Sequence, residues 1–188
     1  MLERREETGR TEDILIGLQQ KRRETNVEIR KARLSELEKL LPLYEQGRKR
    51  MRESGNENQW INGYPQISLI KEDLSKGVCY VACQGELFLA VFTLLEEEEP
   101  TYRVIREGCW LNEEPYGTLH RLAAVGQGKG IGRQCIRWCV EKCGNLRVDT
   151  HEKNGPMRHV LETEGFAQCG RIYVEDGSPR IAYHKVLP

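Results

Sequence analysis

The stretch from Thr118 to Cys143 reads TLHRLAAVGQGKGIGRQCIRWCVEKC. It opens on an apolar run, Leu119 to Val125. Glycines follow at every second position, Gly126, Gly128, Gly130 and Gly132. From Ile131 onward, apolar residues recur three or four apart at Cys135, Ile136, Cys139, Val140 and Cys143. This spacing predicts a strand, a tight loop and a helix. Glycine lets the backbone turn sharply and approach a ligand closely. The first N–H groups of a helix have no partners inside it, and the helix dipole adds partial positive charge at the same end. Such a junction suits an anion, most often a phosphate. Lys129 and Arg133 place two cations beside it.

The glycine spacing narrows the choice. The dinucleotide fingerprint needs glycines at i, i+2 and i+5; counted from Gly126, Gly128 or Gly130, the third falls on Ile131, Arg133 or Cys135. A P-loop needs Ser or Thr after Gly-Lys, but Gly128-Lys129 is followed by Gly130. The pattern that fits is Gln-x-x-Gly-x-Gly, carried by Gln127, Gly130 and Gly132. It resembles motif A of the GNAT superfamily, the acyl-CoA-dependent N-acyltransferases. On turn signals alone, a glycine-rich junction kept for packing is the alternative.

Length and composition bound the rest. A chain of 188 residues suits one domain with a sizeable core. With 29 basic and 29 acidic residues the net charge is zero, so neither nucleic acid nor disorder is indicated. No apolar run approaches the ~20 residues of a membrane span, and the charged start, Met1 to Glu7, does not read as a secretory signal. Seven cysteines read as reduced, buried thiols. Cys135, Cys139 and Cys143 share a helical face, but no CxxC pair or paired-His spacing argues for a metal. A cytoplasmic, reducing location and no metal are the expectations.

Along the chain, residues 1–25 form a charged arm with one short apolar stretch, Ile14 to Leu18. The arm either makes a helix that packs on the domain, or on a second copy in a homodimer, or it frays. Val27 to Arg30 alternates like a strand. Ser35 is placed to cap the next helix with Glu38, which would turn Leu37, Leu40, Leu41 and Tyr44 inward, with a break or kink expected at Pro42. Asn56 to Gln66 reads as a loop whose rings, Trp60 and Tyr64, either line a substrate pocket or staple the loop to the core. A short helix, Ile67 to Lys76, ends at Gly77. Val78 to Cys83, Gln84-Gly85 and Leu87 to Leu95 form a hairpin. Glu96 to Glu99 reads as a solvated loop. Beyond the opening stretch come a strand, Asn145 to Thr150, a helix starting at Pro156, and strands Ala167 to Val174 and Arg180 to Val186 around the turn Asp176 to Pro179.

The order β-α-(α)-β-β-β-α-β-α-β-β is that of the GNAT fold. Asn154, Met157 and Gly165-Phe166 resemble the family's second signature, so the likeness covers about Val27 to Leu187. It implies a GNAT acetyltransferase domain over residues 26–188. The fold would be α/β, with a mixed, mostly antiparallel sheet between helices and parted fourth and fifth strands. It also implies acetyl-CoA as cosubstrate. Leu122, Ala123 and Ala124 would supply the oxyanion donor and bond the pantetheine. Gln127, Gly128, Lys129, Gly130, Ile131, Gly132 and Arg133 would hold the pyrophosphate, with Asn154 beside them. Two departures stand out. The loop from Val125 to Lys129 is short for the family, and Leu161 stands where a tyrosine commonly serves as acid for the leaving thiolate.

Acetyl transfer to an amine needs a neutral nucleophile, whereas alkyl amines are protonated near neutrality, so a base must take a proton. His120 is the first candidate, since an imidazole's ordinary pKa of about 6.5 suits the task; a structural histidine is the other reading. His151, just past the fifth strand, stands near the substrate. Tyr173 is the candidate acid, ordinary strand packing its alternative. The expected function is N-acetyltransfer to a small-molecule or peptide amine, against the alternative of a non-catalytic acyl-CoA-binding module. No nucleic-acid or membrane partner is expected.

Overall fold

The alternating and helical patterns resolve into eleven elements in a computed structural model that describes residues 27–126 and 130–188. They are β1 (Glu28–Lys31), α1 (Leu37–Glu53), α2 (Ile67–Ser75), β2 (Cys79–Gln84), β3 (Leu87–Leu95), β4 (Gly117–Ala124), α3 (Ile131–Cys143), β5 (Asn145–Thr150), α4 (Gly155–Thr163), β6 (Ala167–Tyr173) and β7 (Pro179–Val186). The strands form one sheet, ordered β1-β2-β3-β4-β5-β7-β6. Only β4 and β5 run parallel; every other neighbouring pair is antiparallel. The arm, residues 1–25, and the loop residues Gln127, Gly128 and Lys129 lie outside the described residues.

The two faces are covered differently. Under α3 and α4, Ile136, Cys139 and Leu161 pack on Leu119, Leu146 and Val148. On the opposite face, α1 and α2 bury Leu40, Tyr44 and Ile70 against Val81 and Val91. The segment between β3 and β4 covers the far half of that face, with Tyr102 and Trp110 on Cys169, Ile172 and Ala182. β4 and β5 lie where these two covers meet. Five cysteines are buried and behave as small hydrophobes, whereas Cys143 is half-buried and Cys109 is exposed; all seven are unpaired, and burial pushes the Cys79 and Cys135 thiols up to about 12.

Two local expectations are corrected. Ser35 does not cap α1; it sits in a 3-10 turn, Leu34–Glu36. Glu36 instead accepts the Arg33 N–H at 2.8 Å and a bidentate bond from Arg30 at 2.7 and 3.0 Å, a stronger set than a lone hydroxyl offers. Nor does α1 break at Pro42. Pro42 is exposed, so its ring displaces no packed side chain, and the missing N–H costs only one bond near the helix start. Burial of Leu40, Leu43 and Tyr44 offsets that loss. Leu41 is only half-buried, and Leu43 takes its inward place. Further along, Gly47 lets α1 close on the sheet: a Cβ there would stand 2.8 Å from the Trp60 ring and 3.2 Å from the Ala123 Cβ.

Candidate active site

β4 and β5 pair only at Gly117–Leu146 and Thr118–Arg147. Beyond these rungs the strands part, and the β4 edge from Leu122 to Ala124 has no β5 partner. Its outer side stays fixed, because Ala123 and Ala124 pair with Val91 and Ala90 of β3 and the Val125 N–H donates to the Leu89 carbonyl at 2.7 Å. The Ala124 carbonyl accepts a bond from the Arg50 guanidinium of α1. The parted edge leads to the start of α3, where Gly126 and Gly130 both adopt positive φ, 69° and 70°. Gly130 is the cap of α3, and no side chain caps it. A helix start with no capping side chain is of the kind that suits an anion. Among the described residues, a Cβ on Gly132 would meet only Leu122 Cδ2, at 3.9 Å.

The other candidates for the cosubstrate are placed as follows. Arg133 turns its Nε to Glu164 at 3.1 Å, a carboxylate that also holds Arg137 at 2.7 and 3.0 Å. It is thus not a free cation at the loop. Asn154 caps α4, its side chain accepting the Met157 N–H at 3.3 Å. Its Nδ2 donates to Gln59 Oε1 at 2.9 Å, an oxygen that also takes Asn56 Nδ2 at 2.8 Å. Gln59 thereby ties the loop after α1 to the mouth of the gap. His151 holds the turn after β5, its Nδ1 accepting the Lys153 N–H at 3.2 Å. Burial, then Arg180, lower its pKa.

A bulge in β4 sets the reacting face. Thr93 pairs with His120 and Val91 with Ala123, so β4 carries one extra residue, and Arg121 takes φ 55°. Leu119 and Leu122, three apart, consequently both pack under α3. His120 and Arg121 face the other way. The Arg121 guanidinium grips Asp73 at 3.0 Å on both oxygens and reaches the Tyr64 hydroxyl at 3.3 Å. His120 Nε2 lies 3.0 Å from Glu99 Oε2, with both side chains largely buried. The His120 hydrogen bond, helped by Thr101, holds the Glu99 carboxyl at about 2, against burial. Glu99 is therefore an ionised, acceptor-only partner near neutral pH. In the neutral ring the hydrogen therefore sits on Nε2, facing Glu99, and Nδ1 carries the lone pair.

Asp149 stands level with His120 across the gap, since each is two residues beyond the Thr118–Arg147 rung. It accepts the Tyr102 hydroxyl at 2.8 Å, and the Tyr102 ring stands 6.3 Å from that of His120. Burial, then Asp149, raise the Tyr102 pKa well above 10. The Tyr116 hydroxyl accepts the Glu99 N–H at 3.2 Å. Glu99, Tyr102 and Asp149 were not candidates from the sequence. Glu99 is the one member of its acidic run turned inward, and Pro100 and Thr101, which fix that turn, are the only local signal.

The remaining candidates fall apart from this centre. Trp60 is buried at 8% exposure, tilted against Tyr44 at 6.1 Å and edge-on to Tyr64 at 6.2 Å; it staples the loop to the core. Tyr64 is half-buried and reaches the site through Arg121. Tyr173 is 43% exposed on the sheet's edge strand, with β7 between it and β5, so it stands ~10 Å from the β5 backbone. Leu161 is fully buried in the main core. Among the described residues no cluster of His, Cys, Asp and Glu could hold a metal, and no helix is long and apolar enough to cross a membrane.

No protein-family model and no curated protein matches the sequence. Solved structures do. A GNAT family acetyltransferase from Streptococcus agalactiae 2603 is 30% identical, with a TM-score of 0.80 over 87% of this chain and 97% of that one. A second, from Listeria monocytogenes 4b F2365, is 18% identical, with a TM-score of 0.66 over 86% of this chain and 95% of that one. The NatC complex bound to Gag peptide and CoA contains a chain 12% identical, with a TM-score of 0.59 over 87% of this chain and all 100% of that one. The latter two likenesses bear on the fold alone.

Proposed function

The chain belongs to the GNAT family of acetyltransferases, and from that premise we propose that it moves an acetyl group from acetyl-CoA to a primary amine by direct attack, through an oxyanion intermediate. The observation that carries this reading is the parted β4–β5 edge, which leads from His120 and its Glu99 partner to the uncapped start of α3. The residues present fit the cosubstrate. The free edge at Leu122 to Ala124 matches the amides of a pantetheine arm, and the N–H groups at Gly130 to Arg133 match a pyrophosphate. The CoA in the NatC structure is in keeping with this.

In this proposal Nδ1 of His120 takes the proton that the amine must lose. Glu99 positions the ring and stabilises the imidazolium that forms. A backbone N–H within Leu122 to Ala124 donates to the oxyanion. The departing sulfur leaves as thiolate and is protonated by water, so the tyrosine that Leu161 replaces is not required, nor is the distant Tyr173. Gln127, Gly128 and Lys129 complete the phosphate loop. Arg133, committed to Glu164, contributes more through its N–H than through its charge. The unpaired state of all seven cysteines supports a reducing, cytoplasmic location.

The test is to incubate the protein with acetyl-CoA and a panel of primary amines and to follow acetylated product by mass spectrometry, which is blind to the protein's own thiols. The expected outcome is turnover of at least one amine. His120→Gln should lower kcat by about 10²-fold or more, remove the acidic limb of the pH–rate profile and spare CoA binding. CoA binding with no turnover of any amine would favour a non-catalytic acyl-CoA-binding module. A wild-type rate and limb in His120→Gln would move the base to His151 or a water chain.

A further inference from the structure

Strand pairing decides which backbone groups of β4 face the gap. The Val125 N–H donates to the Leu89 carbonyl at 2.7 Å. Val125 and, two residues back, Ala123 therefore direct their N–H and C=O groups to β3. Ala124 lies between them, opposite Ala90, and in an antiparallel ladder such a residue turns both groups to its other side. That side is the gap, because β4 and β5 pair no further than Thr118–Arg147. The Ala124 carbonyl is thus one of the groups that a pantetheine amide would bond. It already has a partner: Arg50 Nη1 donates to it.

Arg50 reaches that carbonyl from α1. Gly47 sets the helix against Trp60 and Ala123, and Arg50, three residues on, lies on the same helix face one turn further. Its neighbours are engaged elsewhere. Arg48 donates to the Gly63 and Tyr64 carbonyls at 3.5 and 3.4 Å, and Lys49 lies 3.9 Å from Glu53. Arg50 is half-buried, and among the described residues it has a neutral carbonyl as partner and no carboxylate. A guanidinium bonds an anionic oxygen roughly twice as strongly as a neutral one, and often through two nitrogens. Anionic oxygens are expected close by. Gly126, where the chain turns toward α3, is two residues past Ala124, at most ~7 Å of chain. Arg133, the other arginine of this region, is held by Glu164.

We propose that Arg50 selects the acyl donor. In the unliganded protein it occupies the free β4 edge at Ala124, and it yields that carbonyl to a thioester that carries phosphate. The guanidinium turns to the phosphate oxygens, and the Ala124 carbonyl becomes free for an amide N–H of the pantetheine arm. An unphosphorylated pantetheine thioester meets the same occupied edge and brings no anion to draw Arg50 away. A ligand shifts such an equilibrium only by its differential affinity for the two arrangements, and here the phosphate supplies the difference. Phosphate recognition and pantetheine binding thereby become one event. This deepens the acetyl-CoA reading of the same site and rests on it.

The test measures binding of CoA and of pantetheine by calorimetry, in the wild type and in Arg50→Met, which keeps an apolar stem and removes every donor. The variant should bind pantetheine more tightly and CoA more weakly. Its preference for CoA over pantetheine should fall on the order of 10-fold or more. Equal weakening of both ligands would make Arg50 a brace for β4 and overturn the inference, as would a preference within twofold of wild type. A wild type that binds CoA separates these failures from that of the acetyl-CoA reading; one that binds no CoA sinks both. Should Arg50→Met fail to fold, side-chain NMR of the wild type decides. The Arg50 guanidinium signal should move on adding CoA and on adding inorganic pyrophosphate, and a signal that stays in place with both would refute the proposal.

Discussion

Replacing Glu99 by glutamine keeps the shape of the side chain and an oxygen for the His120 Nε2 hydrogen, and removes only the charge. The ordinary carboxyl value of 4.5 falls to about 2 in the folded protein, with the His120 hydrogen bond the largest cause. That difference, about 2.5 at ~1.36 kcal/mol each, is worth about 3 kcal/mol. Burial acts in the opposite sense, so the favourable contacts together are worth at least this much. Thr101 takes part of it; a hydrogen bond to a charged group is typically worth ~1.5–3 kcal/mol, which assigns about 2 kcal/mol, or ~30-fold, to the Glu99–His120 contact. The carboxylate supplies that stabilisation in the transition state, where His120 gains the proton. Glu99→Gln should therefore lower kcat about 30-fold with little change in the KM for acetyl-CoA, read in a steady-state assay with a saturating amine. The sign for stability follows from the depressed value: the Glu99 contribution is present above about 4.5 and is lost as pH falls toward about 2. Melting curves of the variant should lack that acid-side loss. A kcat within threefold of wild type, with an unchanged acid limb of stability, would refute the coupling.

Two other outcomes are expected. Gly132→Asp places a carboxylate where the pyrophosphate should sit, and among the described residues its Cβ meets only an ordinary contact with Leu122. CoA-induced thermal stabilisation should vanish while the unliganded melting temperature holds; Gly130→Asp is the poorer probe, because φ 70° itself costs ~1–2 kcal/mol with a side chain. His184, fully buried, accepts the Leu111 N–H on Nδ1 and bonds Asn145 through Nε2, and burial, then Arg147, lower its pKa to about 4. Its folded value lies below the unfolded one, so stability is full above about 6.5 and falls by up to ~3 kcal/mol as pH drops to about 4. His184→Gln can keep both bonds and should flatten denaturation midpoints across that window.

The fold was legible because its periodicities are undisturbed where they matter. Cys135, Ile136, Cys139 and Val140 announce α3, and the hairpin at Gln84-Gly85 announces β2 and β3. The site was legible only in part. Alternation along β4 fails at Arg121, where positive φ inserts a residue and turns His120 and Arg121 to one face; a local pattern does not contain that slip. Glu99 was hidden in a run of four glutamates, because the contact that singles it out comes from His120, 21 residues away. Trp60 served packing rather than a pocket because Gly47 brings α1 within reach of its ring. Arg133 read as a phosphate ligand from its place in the helix, yet Glu164 of the next segment claims it. In each case the deciding partner is distant in sequence.

The central claim is that acyl transfer takes place in the parting of β4 and β5. A crystal structure of the protein with CoA tests it most directly. The account predicts the pyrophosphate against the N–H groups of Gly130 to Arg133, the pantetheine along Leu122 to Ala124, and the thiol on the side of the gap that His120 and Asp149 face. CoA bound elsewhere, or a β4–β5 pair zipped beyond Thr118 with CoA present, would contradict it.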